Sequence, residues 1–405
     1  AVLLIVLIYT IILLNSNRIL SWDFATYYKK ALLTDDLFTN SFYRGIRNVM
    51  STTWLTDYSS FVVLFTSLFF HFTSKTSNMY VVSNMIFLVV PLTIMLIAFI
   101  NKITKGNKII LWISSIFISS FPFLHFTSIM GQPDIFGLFF IVCILLLTFD
   151  YDFKIIEPRR LVYLFLATMC LFVLRRWYAF WIVAYYFSYI IYIIVSNINN
   201  KVNIKKQIKN ILKFVGVSFL LGGIALAPMI YKILKNSYAT SYEAYYRGGL
   251  AYEIINQFGK LGIIITIMIF IGLIYGIYNK ELRRFTTTLF STGFIGMILF
   301  TMVQNMNNHQ SLIIIPTYIF MIIISLLCIN KIQKYLIKTL ILISVSLFFI
   351  ANFFSSFLIE DNKNLLFTNV SIKPIVREDM DGIKEVVDFI QENCDKNNKI
   401  LIISS

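Results

Sequence analysis

Residues suited to proton transfer or to anion binding occur in five separate short segments of an otherwise apolar chain. A carboxylate can accept a proton from a hydroxyl group, and an arginine fork can bind a phosphate through two hydrogen bonds. None of the segments is specific alone, so the interpretation depends on their shared location. The candidate site residues are Asp23, Tyr27, Asp134, Arg175, Arg176, Tyr246, Arg247, His309 and Gln310.

Two aspartates are the candidate catalytic residues. Asp23 follows the first apolar run, and Tyr27 lies four residues later as a candidate substrate contact. Asp134 follows Pro133 in a tight turn between two apolar runs. Both aspartates also have a plainer interpretation, because Asp is a favoured N-cap residue of helices. The residue types alone leave both interpretations open.

An adjacent arginine pair, Arg175 and Arg176, interrupts the long apolar stretch 161–196. A single Arg at the centre of a membrane-spanning helix costs ~2.5–3.5 kcal/mol, so two of them near the membrane surface require a compensating anion. The guanidinium fork fits a phosphate or pyrophosphate of a lipid headgroup. The alternative is that the pair binds bulk anionic lipid headgroups.

Two polar loops complete the set of candidate residues. The loop 236–259 contains several tyrosines, including Tyr246, and it contains Arg247. These tyrosines form either an interfacial aromatic belt or a groove for sugar rings or a lipid chain, with Arg247 as a second phosphate contact. His309 and Gln310 close a polar turn and can hydrogen-bond phosphate or sugar hydroxyls. A plain polar turn is the alternative for them.

The composition is typical of an integral membrane protein. Hydrophobic residues make up 58% of the chain, charged residues make up 14%, and the mean hydropathy is +0.77, whereas about 25% of the residues in soluble domains are charged. The formal net charge of +15 does not indicate nucleic-acid binding, because most Lys and Arg lie in short loops between apolar runs and determine topology. The four cysteines show neither a disulfide framework nor metal-type spacing.

An all-α polytopic bundle follows from this pattern. A helix needs about 20 apolar residues to cross a bilayer, and we expect about eleven spans. Residues 109–149 are too long for one helix and are divided at the turn 131–134, and residues 161–196 are divided at the arginine pair. The predicted spans are 1–14, 79–100, 109–130, 134–149, 161–175, 177–196, 211–231, 261–278, 286–303, 311–329 and 337–359.

Basic residues fix the orientation predicted for these spans. Two short loops, around 131–133 and 304–309, contain no Lys or Arg. Because basic loops stay in the cytoplasm, we expect a cytoplasmic N-terminus and an extracytoplasmic C-terminus, with every candidate site residue on the extracytoplasmic face. The loops rich in Lys and Arg are 101–108, 150–160, 197–210, 279–285 and 330–336.

The predicted membrane domain covers residues 1–359. Two regions outside the spans complete the predicted organisation of the chain. Residues 15–78 form a large first extracytoplasmic loop with amphipathic surface helices, because the apolar segment 60–73 is too short to span the membrane. Residues 360–405 begin a small extracytoplasmic α/β segment, in which a helical pattern is followed by a strand. Both ends of the chain have the pattern of cut elements, so this segment is expected to be truncated.

This layout resembles the GT-C superfamily of membrane glycosyltransferases, which includes the protein O-mannosyltransferases and the bacterial aminoarabinose transferase. The resemblance rests on Asp23 after the first span, the long first outer loop, Pro133-Asp134 before the fourth span, and His309 in a late polar turn. It implies a polyprenyl-phosphate-linked sugar as donor and transfer with inversion to an acceptor hydroxyl on the extracytoplasmic side. The acceptor would be an envelope glycan, lipid or protein in contact with membrane lipids.

The resemblance implies roles for the matching residues. Asp23 would be the general base, and Asp134 would shape the acceptor or donor site. Either Arg175 or Arg176 would hold the leaving lipid phosphate. His309, with Gln310 beside it, occupies the late turn that contacts the donor in many relatives.

Two departures from the family pattern limit what it implies. Many relatives have a Lys-Pro-Pro-type motif late in the first loop, whereas residues 54–58 here contain neither Lys nor Pro. Several relatives carry Glu after the first aspartate, whereas Phe24 follows Asp23 here. We therefore expect no metal requirement and no other cofactor.

Two other function classes compete with a glycosyltransferase. A polysaccharide polymerase or ligase of the O-antigen type also joins lipid-linked sugars at the outer face, but its large outer loop usually comes late in the chain. A flippase or transporter of lipid-linked sugars usually shows inverted repeats and broken helices at mid-membrane. Here the largest predicted outer loop within the bundle is the first one, and no convincing repeat is found, so the glycosyltransferase is favoured.

Overall fold

The computed structural model describes residues 5, 6, 9, 22–56, 58–196, 201–235, 243–246, 248–358, 365–372, 385, 389 and 392, and most of these residues lie in helices. No strand occurs among these residues. The main helices are α1 (Trp22–Asn40), α2 (Phe42–Leu55), α3 (Ser60–Phe70), α4 (Ser77–Ile103), α5 (Lys108–Ile129), α6 (Ile135–Thr148), α7 (Pro158–Leu174), α8 (Tyr178–Ser196), α9 (Lys201–Ala225), α10 (Ala227–Lys235), α11 (Gly249–Leu261), α12 (Ile263–Tyr278), α13 (Arg283–Thr301), α14 (Ile315–Asn330) and α15 (Tyr335–Leu358).

Five of these helices are long and apolar enough to cross a membrane, namely α4, α5, α8, most of α9 and most of α15. A sixth crossing results if α11 and α12, which meet at 108°, are counted as one span. The chain is therefore a membrane protein with five to six candidate spans among the described residues. The predicted number of about eleven spans is not confirmed, because α6, α7 and α14 have only 14, 17 and 16 residues.

Both predicted divisions of overlong apolar stretches are confirmed. In the stretch 109–149, α5 and α6 are separate helices joined by a turn in which Gly131 has a φ of +85°, a conformation that glycine adopts without steric cost. In the stretch 161–196, α7 and α8 are separate helices, and the arginine pair lies in the link between them. The two links place Asp134 and Arg175 next to one another.

The bundle core is built from close helix pairs. The most extensive contacts are those of α12 with α14 and of α8 with α13. At Gly272 on α12, an added Cβ would overlap the backbone carbonyl of Met321 on α14. Small residues that allow such a close backbone approach are typical of helix pairs in membranes.

The basic loops meet one another at one end of the bundle. Lys102 forms an ion pair with Asp150, and Nζ of Lys105 lies 2.6 Å from a carboxylate oxygen of Glu281. Nε2 of Gln207 donates a 2.9 Å hydrogen bond to the carbonyl of Asp152. The loops after α4, α6 and α12 and the start of α9 are therefore neighbours, as a common membrane face requires.

The first loop and the tail are described only in part. Helices α1, α2 and α3 fold from the predicted first loop and pack on one another. Residues 365–372 return to the bend between α11 and α12, where the amide of Ile263 donates a 2.8 Å hydrogen bond to the carbonyl of Leu365. The strand predicted near the C-terminus, most of the helix before it, and nearly all of the predicted span 1–14 lie outside the described residues.

Candidate functional site

Arg175 connects the two candidate aspartates. Its Nε donates a hydrogen bond to Oδ1 of Asp134, and its Nη2 lies 3.7 Å from Oδ2 of Asp23. The Asp134 side chain is 0% exposed, whereas that of Asp23 is 36% exposed. The arrangement therefore combines a buried carboxylate that balances the guanidinium charge with a second carboxylate that a substrate can reach.

Local structure fixes the position of Asp134. It precedes α6, but its side chain makes no capping hydrogen bond, so the plainer interpretation as a helix cap is not confirmed. The hydroxyl of Tyr178, at the start of α8, donates a 2.9 Å hydrogen bond to the backbone carbonyl of Asp134. Gly137 makes room for this tyrosine, because an added Cβ there would overlap its ring.

Asp23 is held from two sides. It lies in the first turn of α1, where the positive end of the helix dipole favours a negative charge. The hydroxyl of Tyr58, in the link between α2 and α3, donates a 2.6 Å hydrogen bond to Oδ1 of Asp23. With Arg175 near Oδ2, each carboxylate oxygen has a partner on a different element, and the side chain is kept in one orientation.

Two tyrosine rings contact the Arg175 guanidinium. Its central carbon lies 5.2 Å from the ring centroid of Tyr27 and 5.7 Å from that of Tyr58, which are distances suited to cation–π interaction. The Tyr27 hydroxyl is buried and has no hydrogen-bond partner among the described residues. Burial raises the pKa of Tyr27 well above its ordinary value, so this hydroxyl keeps its proton and remains a hydrogen-bond donor.

Arg175 remains charged although it is buried. Burial acts to lower its pKa, but Asp134, Tyr27 and Asp23 outweigh burial and raise it. The arginine pair was expected to require an anion from a lipid, and the structure provides one for Arg175 from the protein itself. The contacts of Arg175 therefore favour a role in holding carboxylates over the predicted role in holding a phosphate.

Arg176 points to a different partner. Its Nη2 donates a 2.8 Å hydrogen bond to the backbone carbonyl of Thr56, which ends α2. This contact ties the link between α7 and α8 to the first loop. It keeps Tyr58, two residues beyond Thr56, close to the aspartates.

His309 belongs to the same electrostatic environment. The charges of Asp134, Arg175, Asp23 and Lys260 all act on its imidazole. Removal from water lowers the pKa of His309 to about 4. The ring is therefore neutral at pH 7, with one nitrogen as a hydrogen-bond donor and the other as an acceptor.

Glu253, on α11, is a buried carboxylate that the sequence analysis did not select. Its oxygens accept hydrogen bonds from Gln257 Nε2 at 2.7 Å, Asn305 Nδ2 at 3.1 Å and the amide of Met306 at 2.9 Å. Nζ of Lys260 donates a 3.0 Å hydrogen bond to the carbonyl of Met306. These bonds hold the turn that contains His309 against α11. Polar residues at helical spacing were the only sequence signal, and that signal is also typical of a solvated helix face.

Among the described residues, Gln310 and Tyr246 have other surroundings than the aspartates. The Gln310 side chain accepts a 2.9 Å hydrogen bond from the amide of Asn307, so it closes its own turn. Tyr246 is largely exposed, with its hydroxyl beside Gly249. Arg247 lies outside the described residues. In the described chain, direct contacts thus bring together Asp23, Tyr27, Asp134 and Arg175, and the charges of this cluster act on His309.

The described part of the chain holds no group of three or more His, Cys, Asp or Glu side chains that could bind a metal ion. The expectation of a metal-free reaction stays a prediction. The chemistry that the cluster itself offers is proton acceptance by Asp23 and hydrogen bonding by Tyr27 and His309.

Comparison of the chain with models of protein families, with curated proteins and with solved structures gave no match. The resemblance to the GT-C superfamily therefore rests on the sequence layout described above.

Proposed function

We propose that this protein is a membrane glycosyltransferase of the GT-C type that moves a sugar from a polyprenyl-phosphate-linked donor to an acceptor hydroxyl. The observation that carries the proposal is the geometry of Asp23. Its carboxylate is 36% exposed, and it is held by the Tyr58 hydroxyl and by Arg175 next to a bundle of apolar helices. A general base that serves a membrane-bound substrate needs this combination of access and orientation.

In the proposed reaction, Asp23 accepts the proton of the acceptor hydroxyl. The hydroxyl oxygen forms a bond to the anomeric carbon of the sugar, and the bond from that carbon to the donor phosphate breaks. The bonding electron pair leaves with the phosphate, so the products are the glycosylated acceptor and polyprenyl phosphate. General-base catalysis of this kind contributes ~10²–10⁴-fold to the rate.

The neighbouring residues position the base and the substrates. Asp134 balances the charge of Arg175, so that Arg175 can orient Asp23 without an uncompensated buried charge. Neutral His309 offers hydrogen bonds to the hydroxyl groups of the sugar or of the acceptor. Tyr27 is 0% exposed, and its ring supports the Arg175 guanidinium. In this scheme Arg176, Tyr246 and Gln310 lie further from the reacting atoms and border the substrate.

The proposed function also requires one orientation of the chain in the membrane. The basic loops that contact one another through Lys102, Asp150, Lys105 and Glu281 face the cytoplasm, in line with the positive-inside rule. The end with Asp23 then faces the extracytoplasmic side, the N-terminus is cytoplasmic and the C-terminus is extracytoplasmic. The shorter helices α6, α7, α13 and α14 cross the membrane within the bundle, as the predicted eleven-span layout requires.

Replacement of the proposed base tests this function. We expect Asp23→Asn to keep the fold but to reduce sugar transfer from a polyprenyl-phosphate hexose at least ~10²-fold, with product detected by mass spectrometry. Asp36→Asn is the matched control, because Asp36 is an exposed carboxylate on the same helix with Lys75 as its partner at 2.8 Å. Near-normal transfer by Asp23→Asn would reject the assignment of the base.

The donor class is tested by the lipids that copurify with the chain. We expect mass spectrometry of these lipids to detect a polyprenyl monophosphate hexose or a related species. A parallel transfer assay compares this monophosphate donor with an oligosaccharide linked to a polyprenyl diphosphate. Transfer from the diphosphate alone would contradict the proposal and would favour a polymerase or ligase.

A further inference from the structure

A polyprenyl-phosphate donor needs a cation for its phosphate, and the proposed function leaves that cation to be identified. Arg175 already has two carboxylate partners, Asp134 and Asp23. A phosphate next to Arg175 would also lie close to these two negative charges, which would repel it. The phosphate site is therefore expected at a neighbouring cation that lacks a carboxylate partner.

Lys260 meets this condition. It lies in the last turn of α11, and its Nζ donates a 3.0 Å hydrogen bond to the carbonyl of Met306. No carboxylate lies within 4.0 Å of this ammonium group in the part of the chain that the structure describes. The charge of Glu253 acts on Lys260, but this carboxylate makes no ion pair with it and is satisfied by its own set of amide donors.

Lys260 lies next to the turn that contains His309, because its Nζ bonds to the carbonyl of Met306, three residues before His309. The charge of Lys260 acts on the His309 imidazole, and so do the charges of Asp134, Arg175 and Asp23. The ammonium group and the proposed base therefore belong to one electrostatic environment.

The backbone around Lys260 is fixed at the bend between α11 and α12. Gly262 adopts a φ of +76° there, which favours glycine. The backbone amide of Asn369 donates a 2.8 Å hydrogen bond to the carbonyl of Lys260, and the side chain of Asn369 donates a 2.7 Å hydrogen bond to the carbonyl of Gly259. The backbone that carries Lys260 is thus fixed at the end of α11, where the apolar α12 begins.

An exposed apolar stripe starts immediately after this bend. Ile263, Ile267, Phe270 and Ile274 on α12 are 52%, 51%, 44% and 57% exposed. Their spacing of four, three and four residues places them on one helix face. A prenyl chain whose phosphate lies at Lys260 can follow this apolar face into the membrane.

We propose that Lys260 binds the phosphate of the lipid-linked donor, with the prenyl chain along the Ile263–Ile274 face of α12. This inference rests on the proposed glycosyltransferase function and adds to it the residue that recognises the donor. The same ammonium group could bind a free phosphate, so the experiment has to separate the lipid from the free anion.

Binding to the purified full chain in detergent micelles tests the inference by calorimetry. The probes are a short-chain polyprenyl phosphate without sugar, the uncharged polyprenol of the same length, and inorganic phosphate. The variants are Lys260→Gln, which can still donate a hydrogen bond, and Lys260→Arg, which keeps the charge. Lys232→Gln is the matched control, because Lys232 also donates to a backbone carbonyl, that of Leu55 at 3.2 Å.

We expect Lys260→Gln to weaken polyprenyl phosphate binding at least tenfold and to leave polyprenol binding unchanged. Lys260→Arg should bind within about threefold of the unmodified chain, since a charge-assisted hydrogen bond is kept. Lys232→Gln should bind as the unmodified chain does. Equal binding by Lys260→Gln would overturn the inference, and competition by inorganic phosphate at equal concentration would overturn its lipid part.

A second measurement uses the unmodified chain and does not depend on the folding of any variant. A polyprenyl phosphate with a photoreactive group next to the phosphate is cross-linked to the protein, and the labelled peptide is identified by mass spectrometry. Labelling should fall on the end of α11 or on residues 304–310. Labelling of α9 or α10 instead would overturn the inference.

The two proposals fail in different ways. If the unmodified chain binds polyprenyl phosphate and transfers sugar while Lys260→Gln does the same, only the role of Lys260 is lost. If the unmodified chain neither binds polyprenyl phosphate nor transfers sugar from it, the glycosyltransferase function is lost as well.

Discussion

The Tyr58 hydroxyl donates a 2.6 Å hydrogen bond to Oδ1 of Asp23, and the two residues are 35 positions apart in the chain. The bond closes the first loop on itself at the point where α1 begins. It also fixes the direction in which the carboxylate presents its remaining lone pairs. The orientation of the proposed base is therefore set by a residue that takes no part in the bond-forming step.

Replacement of Tyr58 by Phe should lower the turnover number without unfolding the protein. The ring keeps its edge contact with Tyr27, at 5.6 Å between centroids, whereas the hydrogen bond to Asp23 is lost. A hydrogen bond to a charged group contributes about 1.5–3 kcal/mol, so we expect kcat to fall ~10-fold or more with KM nearly constant. Initial rates with a polyprenyl-phosphate hexose measure this.

Tyr246→Phe is the control for the loss of a tyrosine hydroxyl, because Tyr246 is exposed and lies apart from the aspartates. A Tyr58→Phe protein with unchanged kcat would show that Asp23 does not need this bond for orientation.

The sequence allowed a gathering of polar residues to be predicted, but not their pairing. Alternation of basic and neutral loops placed Asp23, Asp134, Arg175 and His309 on one face, and the described structure brings the first three into contact, with their charges acting on His309. The ion pair of Arg175 with Asp134 depends on how the ends of α5, α6 and α7 pack. Contacts between segments 41 residues apart leave no periodic signal in the chain.

The number of spans was harder to predict than the helical class. Apolar composition identifies helices, but the length of each helix is set by where its turns fall. Helix α7 begins at Pro158 and ends just before Arg175 and Arg176, so it has only 17 residues. The buried Glu253 was missed for a related reason, since its partners Asn305 and Met306 come from a distant turn.

The ion pair between Arg175 and Asp134 should show strong coupling in unfolding. Removal of one partner from a buried pair costs about 3–5 kcal/mol, because the other charge is left uncompensated. We expect Arg175→Met to lower the thermal midpoint markedly in detergent, and Arg175→Met/Asp134→Asn to regain a large part of the loss. Unfolding followed by intrinsic fluorescence gives the three midpoints.

Arg283→Met serves as the control for this cycle, since Arg283 is an exposed arginine whose Nε donates a hydrogen bond to a backbone carbonyl, that of Ile277. It should cost less than Arg175→Met. Strictly additive losses in the double variant would mean that Arg175 and Asp134 do not stabilise one another.

Glu253→Gln should destabilise the turn that contains His309. The carboxylate accepts hydrogen bonds from two side-chain amides and one backbone amide, and a glutamine would direct its own NH₂ group at one of these donors. Loss of a buried bond to a charged acceptor costs about 2 kcal/mol. Thermal unfolding and hydrogen exchange of residues 304–310 both report the change.

The exposed Glu243 provides the matched control, because Glu243→Gln alters the same formal charge in the same region. We expect its midpoint to stay within the error of the unmodified chain. Equal exchange rates in Glu253→Gln and in the unmodified chain would argue against a role of Glu253 in holding the turn.

His309 should make the stability of the protein sensitive to acid. Its pKa is lowered from 6.5 to about 4 in the folded state, first of all by burial. Between these values the unfolded chain binds more protons than the folded one, so the contribution of the neutral ring is complete above pH 6.5 and is lost as the pH falls towards 4. The loss amounts to at most about 3 kcal/mol.

His309→Gln isolates this contribution, because glutamine keeps hydrogen-bonding capacity and does not titrate. The carboxylates that also protonate in acid are common to both proteins, so they cancel in the difference between the two stability curves. We expect the unmodified chain to lose more stability than His309→Gln between pH 6.5 and pH 4, as measured by denaturant unfolding at fixed ionic strength. Parallel curves over this range would show that His309 is protonated as readily in the folded protein as in the unfolded chain, and a neutral imidazole at the site would then have to be given up.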